Sequence, residues 1–323
     1  MNVSAPRIFL FCFFFVSLCA CNRPDKTELP WKEIIIPTTD RLERVHFLND
    51  TVGHLVGGIA YQNGIHLVTY DGGINWNSSS FSNIIYDFTP IGNGEVVQAG
   101  FSGLQRKINR EEDWFTQGFP TINLDVPPFN AVAKSADSQL LLGGGIAFEN
   151  GIILQLNENF QPVALDTFPA EISDLTYLSP TRAVAVGYGI VLHSTDGGSS
   201  WTRLPVYNDF FKSVHFPTPE IGYMIGFSGS ILKSEDGGLT WSTQRDGNKL
   251  TVSNQPFRSV FFADEEKGFV VGDSGLCWIT TNGGDNWEKI TNLPDRHFYD
   301  VFIQNKKVYI AGDQGTLIQL ELP

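Results

Sequence analysis

Beyond residue 30 the apolar positions fall in short alternating runs, cut every few residues by Gly, Asp or Asn. "KSVHF" at 212–216, "YMIGF" at 223–227 and "SILKS" at 230–234 show the pattern. Alternation over four or five β-branched or aromatic positions, bounded by turn formers, predicts strands joined by hairpins. In the same region, no stretch sustains a helical period for twelve residues or more. The pattern also repeats. Val45, Phe88, Val132, Leu175, Val214, Val260 and Val301 hold like positions in successive units, at intervals of 43, 44, 43, 39, 46 and 41 residues. Strand chemistry at this period predicts an all-β chain, a seven-bladed β-propeller with four-stranded blades. The last unit stops at "GTLIQLELP", one strand short, whereas "LPWKEIIIP" precedes the first unit and resembles "NWEKI" at 286–290. Trp31 to Ile36 is therefore expected to complete the blade of residues 297–320. That closes the ring, protects its edges and makes 31–323 one domain.

Four units carry one motif: "TYDGGINW" at 69–76, "STDGGSSW" at 194–201, "SEDGGLTW" at 234–241 and "TTNGGDNW" at 280–287. A catalytic loop has no use for four copies, and a structural turn does. Asp71, Asp196, Asp236 and Asn282 are expected to accept amide hydrogens within the turn, since each offers a side-chain oxygen. The paired glycines allow the backbone to turn. Trp76, Trp201, Trp241 and Trp287 are expected to start the outer strands and pack on their own blades. Blades two and three are worn versions, with Trp114 and Phe160 at the tryptophan position.

The chain opens "MNVSAPRIFLFCFFFVSLCACNRPD". Arg7 followed by the apolar run Ile8 to Ala20 reads as a secretory leader, too short for a settled membrane span. Leu18-Cys19-Ala20-Cys21 resembles the bacterial lipobox, which implies cleavage before Cys21 and lipid on its sulfur. The expected organisation is a lipoprotein signal peptide at 1–20, a lipidated N-terminus and tether at 21–30, and the propeller after it. Asn22 is not the aspartate that retains such proteins at the inner membrane, so the expected site is the outer membrane, on its periplasmic or its outer side. Cys12 and Cys19 depart with the leader, and Cys277 alone remains, so the mature fold holds no internal disulfide. Lys and Arg number 22 against 35 Asp and Glu, a formal net charge of −13. That balance excludes nucleic acid as a partner.

The string "FKSVHFPTPEIGYMIGFSGSILKSEDGGLTW" and its echo "FRSVFFADEEKGFVVGDSGLCWITTNGGDNW" resemble the photosystem II assembly factor propellers of cyanobacteria and plants and their bacterial relatives. The resemblance runs from Trp31 to the C-terminus and is most specific over 171–323. It implies an exported assembly scaffold with no enzymatic activity and no cofactor. That family meets its membrane client through a basic patch at the blade tops. Here the comparable positions are mixed: Arg44, Asp87, Ala131, Asp174, Ser213, Ser259 and Asp300, with Lys212 and Arg258 just before two of them. Arg44, Lys212 and Arg258 are the candidate contacts to a protein partner at the cell envelope.

The alternative is a carbohydrate-binding protein or glycoside hydrolase, with Asp87, Asp174 or Asp300 in the funnel. Hydrolysis needs two carboxylates across a cleft. A sialidase further needs an arginine triad and a tyrosine nucleophile, and no such pattern accompanies the repeated turns. The six histidines form no H-x-x-x-H pair and suggest no metal. "VGGIAYQNG" and "LGGGIAFENG" lack the lysine and helix of a phosphate loop.

Overall fold

The computed structural model describes residues 26–92, 95–108, 113–119, 128–146, 148–207, 209–250 and 255–323. Its strands form seven sheets in chain order. Blade one comprises Leu42–Phe47, Gly53–Ile59, Asn63–Thr69 and Asn77–Phe81; each later blade repeats this antiparallel meander. The first strands are Ile85–Gly92, Phe129–Lys134, Ile172–Tyr177, Phe211–His215, Phe257–Phe262 and Phe298–Gln304 in blades two to seven. The seven repeating apolar residues that set the period are all buried within them.

Both termini meet in blade seven. Trp31–Glu33 pairs antiparallel with Leu317–Glu321, Trp31 opposite Leu320 and Glu33 opposite Ile318. The Ile34 amide extends the ladder to the Leu317 carbonyl at 2.8 Å. Pairing stops there, and Ile35 is exposed, so the closing strand is shorter than the run Trp31 to Ile36. Its contribution is also apolar. Ile34 packs with Leu42, Phe47, Tyr309 and Leu317 in a core shared by blades one and seven, where the Phe47 and Tyr309 rings stack at 4.0 Å. Full burial of one such ring contributes about 1.5–3 kcal/mol.

A second pairing was not anticipated. Lys26–Thr27, expected in the polar tether, lies parallel to Lys289 and Ile290 and gives blade six a fifth strand. The Asn292 side-chain amide fixes the crossing to blade seven, donating to the Leu29 carbonyl at 2.8 Å. The expected signal peptide and Cys21 lie outside the described residues. Among the described residues, no helix is long and apolar enough to cross a membrane.

Candidate functional site

The funnel mouth is built by one device used seven times. The opening apolar residue of each first strand pairs with a glycine ending the second: Leu42 with Gly57, Ile85 with Gly100, Phe129 with Gly144, Ile172 with Gly187, Phe211 with Gly226, Phe257 with Gly272 and Phe298 with Gly312. A side chain has no room there. A Cβ at Gly57 would stand 1.9 Å from the Arg41 carbonyl oxygen, and one at Gly187 equally close to that of Glu171. A β-bulge follows each pair at once, leaving one residue per blade out of register. Bulges re-aim side chains. The residues so aimed are Glu43, Tyr86, Asn130, Ser173, Lys212, Arg258 and Tyr299. Together with Arg41, Arg44 and Glu171 they line a polar cavity of about 220 Å³.

One step along each strand lies a second ring: Arg44, Asp87, Ala131, Asp174, Ser213, Ser259 and Asp300. Wherever this residue carries an oxygen, it accepts an amide from the next blade. Asp87 takes Val132 N at 2.8 Å, Asp174 takes Val214 N at 3.0 Å and Asp300 takes Val45 N at 2.9 Å. Ser213 and Ser259 do the same for Val260 and Val301 at 3.4 and 3.3 Å. Arg44 and Ala131 cannot accept. In the blades after them, the blade's own carboxylate substitutes: Phe88 N donates to Asp87 and Leu175 N to Asp174, both at 2.9 Å. The period of the ring is thus a stitch between neighbouring blades.

The three carboxylates proposed for a hydrolase do meet, around Arg44. Its Nε, Nη1 and Nη2 lie 3.2, 3.3 and 3.4 Å from Oδ1 of Asp87, Asp300 and Asp174. Burial opposes the guanidinium charge, but the carboxylates outweigh it and hold Arg44 above its ordinary pKa. One cation cannot neutralise three anions. Burial pushes Asp87 up to about 6, against the pull of Arg44 and the Val132 amide, and raises Asp300 for the same reason. Deeper in the channel His46 stacks on Phe302 at 4.4 Å and His215 on Phe261 at 4.1 Å. Burial depresses both imidazoles to about 4.

The candidate contact cations have unlike surroundings. Arg44 is sequestered by the aspartates. Arg258 binds Asp273 through two hydrogen bonds of 2.9 and 3.1 Å and lies between the rings of Phe227 and Tyr299. Lys212 has no carboxylate within 4.0 Å among the described residues. Its Nζ sits 4.3 Å from the Phe210 ring centroid, and burial holds its pKa down to about 8.

The Asp-box turns occupy the opposite face. Asp236 Oδ1 accepts Leu239 N and Thr240 N at 3.1 and 2.9 Å, and the Ser234 hydroxyl at 2.9 Å. Asp71 and Asp196 repeat the arrangement, and Asn282 accepts Asn286 N at 3.0 Å through its amide oxygen. The paired glycines have φ between +66° and +94°, a region closed to most side chains. Trp76, Trp241 and Trp287 pack edge-on against Phe47, Phe216 and Phe262 of their own blades; Trp201 packs in the core shared by blades three and four. The turns also seal the ring: the hydroxyl of Tyr223 in blade five donates to the Gly283 carbonyl of blade six at 2.9 Å.

An aromatic series escaped the sequence reading. The hairpins between second and third strands carry Tyr61, Phe101, Phe148, Tyr188 and Phe227 in blades one to five, and Asp273 and Asp313 in blades six and seven. Its signal was legible as Gly-Phe, Gly-Tyr and Gly-Phe at 100, 187 and 226. No group of three or more His, Cys, Asp or Glu side chains suited to a metal occurs among the described residues.

Residues 206–296 match the family model of the photosynthesis system II assembly factor YCF48. No curated protein matches the sequence. Among solved structures, YCF48 bound to a D1 peptide aligns at TM-score 0.70 and 18% identity, over 93% of this chain and 97% of that one. YCF48 from Cyanidioschyzon merolae aligns at 0.70 and 15%, over 90% and 98%. The extracellular domain of a putative hybrid two-component system from B. thetaiotaomicron aligns at 0.67 and 14%, over 90% of this chain and 39% of that one. In fold, the chain is a YCF48-like seven-bladed β-propeller with Asp-box turns.

Proposed function

We propose that this chain is a non-enzymatic docking protein of the cell envelope that binds a protein partner at its funnel mouth. One observation carries the reading. Each of Asp87, Asp174 and Asp300 is spent on backbone amides and on Arg44, while Lys212 lies half-buried at the mouth with no carboxylate within 4.0 Å among the described residues, and the hairpin rings Tyr61, Phe148, Tyr188 and Phe227 are exposed. A hydrolase needs one carboxyl free to protonate a leaving group and a second free to attack or activate water. Here removal of either role's oxygen breaks a stitch between blades. A rigid scaffold presenting varied loops suits docking. The similar propeller YCF48 has been seen with a bound peptide.

Export and lipidation of Cys21 belong to the same proposal. Four residues lie between Cys21 and Lys26, and the five Cα–Cα steps reach at most about 18 Å. Lys26–Thr27 runs parallel to Lys289–Ile290, which climbs away from the Asp-box turn at 280–287, so the chain enters this strand from the Asp-box side. A lipid at Cys21 then leaves the mouth facing away from the membrane, open to a partner.

The test is crosslinking in native envelopes, with intact-mass analysis of the recovered chain. The expected result is a diacyl- or triacyl-modified Cys21 and one reproducible protein partner, crosslinked through the mouth face and not through the Asp-box face. An unmodified chain would remove the anchor. Turnover of a defined glycan that vanishes in Asp174→Ala, with no partner recovered, would replace docking with hydrolysis.

A further inference from the structure

Beside the polar mouth lies a larger cavity of about 820 Å³, between blades three, four and five. Its walls are aromatic. Phe148 is 5.1 Å from Tyr188 and 5.6 Å from Phe210, and Tyr188 is 5.3 Å from Phe210. Phe148 and Tyr188 are 52% and 50% exposed, and Phe227 beyond them is 39% exposed. Large apolar side chains left open side by side mark a binding surface more often than scattered ones do.

The cavity is framed rather than loose. Tyr188 bridges Phe210 in the backbone, and Phe227 N donates to the Phe210 carbonyl at 2.8 Å. Its two acids are consumed in that framing. Glu171 accepts from Phe148 N and from the Asn130 amide, each at 2.9 Å. Asp209 accepts from Phe210 N at 2.7 Å and Ser228 N at 2.8 Å. Of its two cations, Arg258 is held by Asp273, and Lys212, at the inner end where this cavity meets the polar mouth, has no carboxylate within 4.0 Å among the described residues. Ser173 at the same mouth is 7% exposed, and its hydroxyl has no hydrogen-bond partner among the described residues.

We infer that this cavity receives a peptide segment that places an apolar side chain among Phe148, Tyr188, Phe210 and Phe227 and a neighbouring carboxylate on Lys212. The inference rests on the docking reading and specifies the chemistry of the docked segment. Charge complementarity selects the occupant: an acidic group supplies the missing counter-ion, and an ammonium already stripped of water forms a strong pair with it. A sugar is the poorer fit. The rings meet edge to face or tilted instead of offering a flat platform, and the acids that would hold its hydroxyls are already engaged.

The test uses the full chain and a displayed library of random linear 12-residue peptides, followed by affinity measurement with synthetic copies of the enriched ones. Enriched peptides should carry a Leu, Ile or Phe within two positions of an Asp or Glu. Their affinity should fall at least tenfold in Lys212→Gln and in Tyr188→Ser, and recover in Lys212→Arg, with melting temperatures unchanged because Tyr188 is half exposed and Lys212 carries no salt bridge. Lys212 faces Arg258, Arg44, Glu171 and Glu43. Its low pKa predicts that wild-type affinity declines as pH rises through about 8, while Lys212→Arg keeps its affinity there. Enriched peptides without an acidic residue, binding indifferent to both substitutions, or no enrichment over a control propeller would each overturn the inference. The envelope crosslinking separates the two failures. A partner retained by Tyr188→Ser and Lys212→Gln leaves docking standing and removes this pocket; no partner for the wild type removes docking itself.

Discussion

Asp71 and Asp87 are the same side chain in adjacent blades, with opposite fates. Asp71 closes an outer turn, where hydrogen bonds from the Asn75 amide, the Asn75 side chain and Thr69 hold its pKa down to about 2. Asp87 stands in the funnel ring, where burial pushes it up to about 6 despite Arg44 and two backbone amides. The donors to Asp71 arrive within four residues of it and are present whenever the turn forms. The counter-charge of Asp87 comes from a different blade and must be shared with Asp174 and Asp300. A charge served locally is comfortable almost anywhere on the surface. A charge served by tertiary structure depends on the whole ring being closed.

The largest consequence is acid sensitivity of the interior, where the turns should be indifferent. His46, His66 and His215 are depressed to about 4 and His54 to about 3, all chiefly by burial. Their folded values lie below the unfolded one, so the stability they contribute is complete above about pH 6.5 and is lost as pH falls. Asp87 acts in the opposite sense, because its raised folded value lets the native state keep a proton between about pH 4 and 6. The four imidazoles outnumber the raised carboxyls of Asp87, Asp300 and Glu43, so near pH 5 the unfolded chain still binds more protons and stability falls as the pH falls. Urea midpoints measured from pH 7.5 to 4.5 should drop steeply below 6.5. A flat profile would contradict neutral, buried imidazoles.

Removing the shared cation tests the ring directly. Arg44→Met leaves three buried carboxylates unpaired and should cost about 3–5 kcal/mol at pH 7.5. The deficit relative to wild type should shrink towards pH 5, where Asp87 takes up a proton and no longer needs the cation. An equal deficit at both pH values would show that Arg44 acts through packing instead of charge.

The turns should give the smallest effect. Asp236→Ala removes the acceptor for Leu239 N, Thr240 N and the Ser234 hydroxyl and should cost about 1 kcal/mol, as loss of a helix cap does. Asp236→Asn should cost less than half as much, because Asn282 holds the same place with an amide oxygen. These shifts should not change between pH 5.5 and 7.5. A pH-dependent loss would mean that the turn relies on charge and not on acceptor geometry.

Much of this was legible in the residues. The strands and the Asp-box acceptors follow from patterns within about ten residues, because strand alternation and turn capping are local physics, and the repeat period and the return of Trp31 to the last blade follow from comparing such units along the chain. The ring positions were legible too, since one residue in each unit aligns with Arg44. What Arg44 does there was not. Its role among the three aspartates requires blades one, two, four and seven to face one axis, and no spacing in the chain encodes that distance. The same holds for the aromatic cavity. Phe148, Tyr188, Phe210 and Phe227 stand up to 79 positions apart in the sequence. Sequence by itself determined an all-β seven-fold repeat with self-capped turns. Only the closed ring decided which charges are buried together and which aromatic rings remain open to a partner, because burial and electrostatic pairing depend on distances through space between blades.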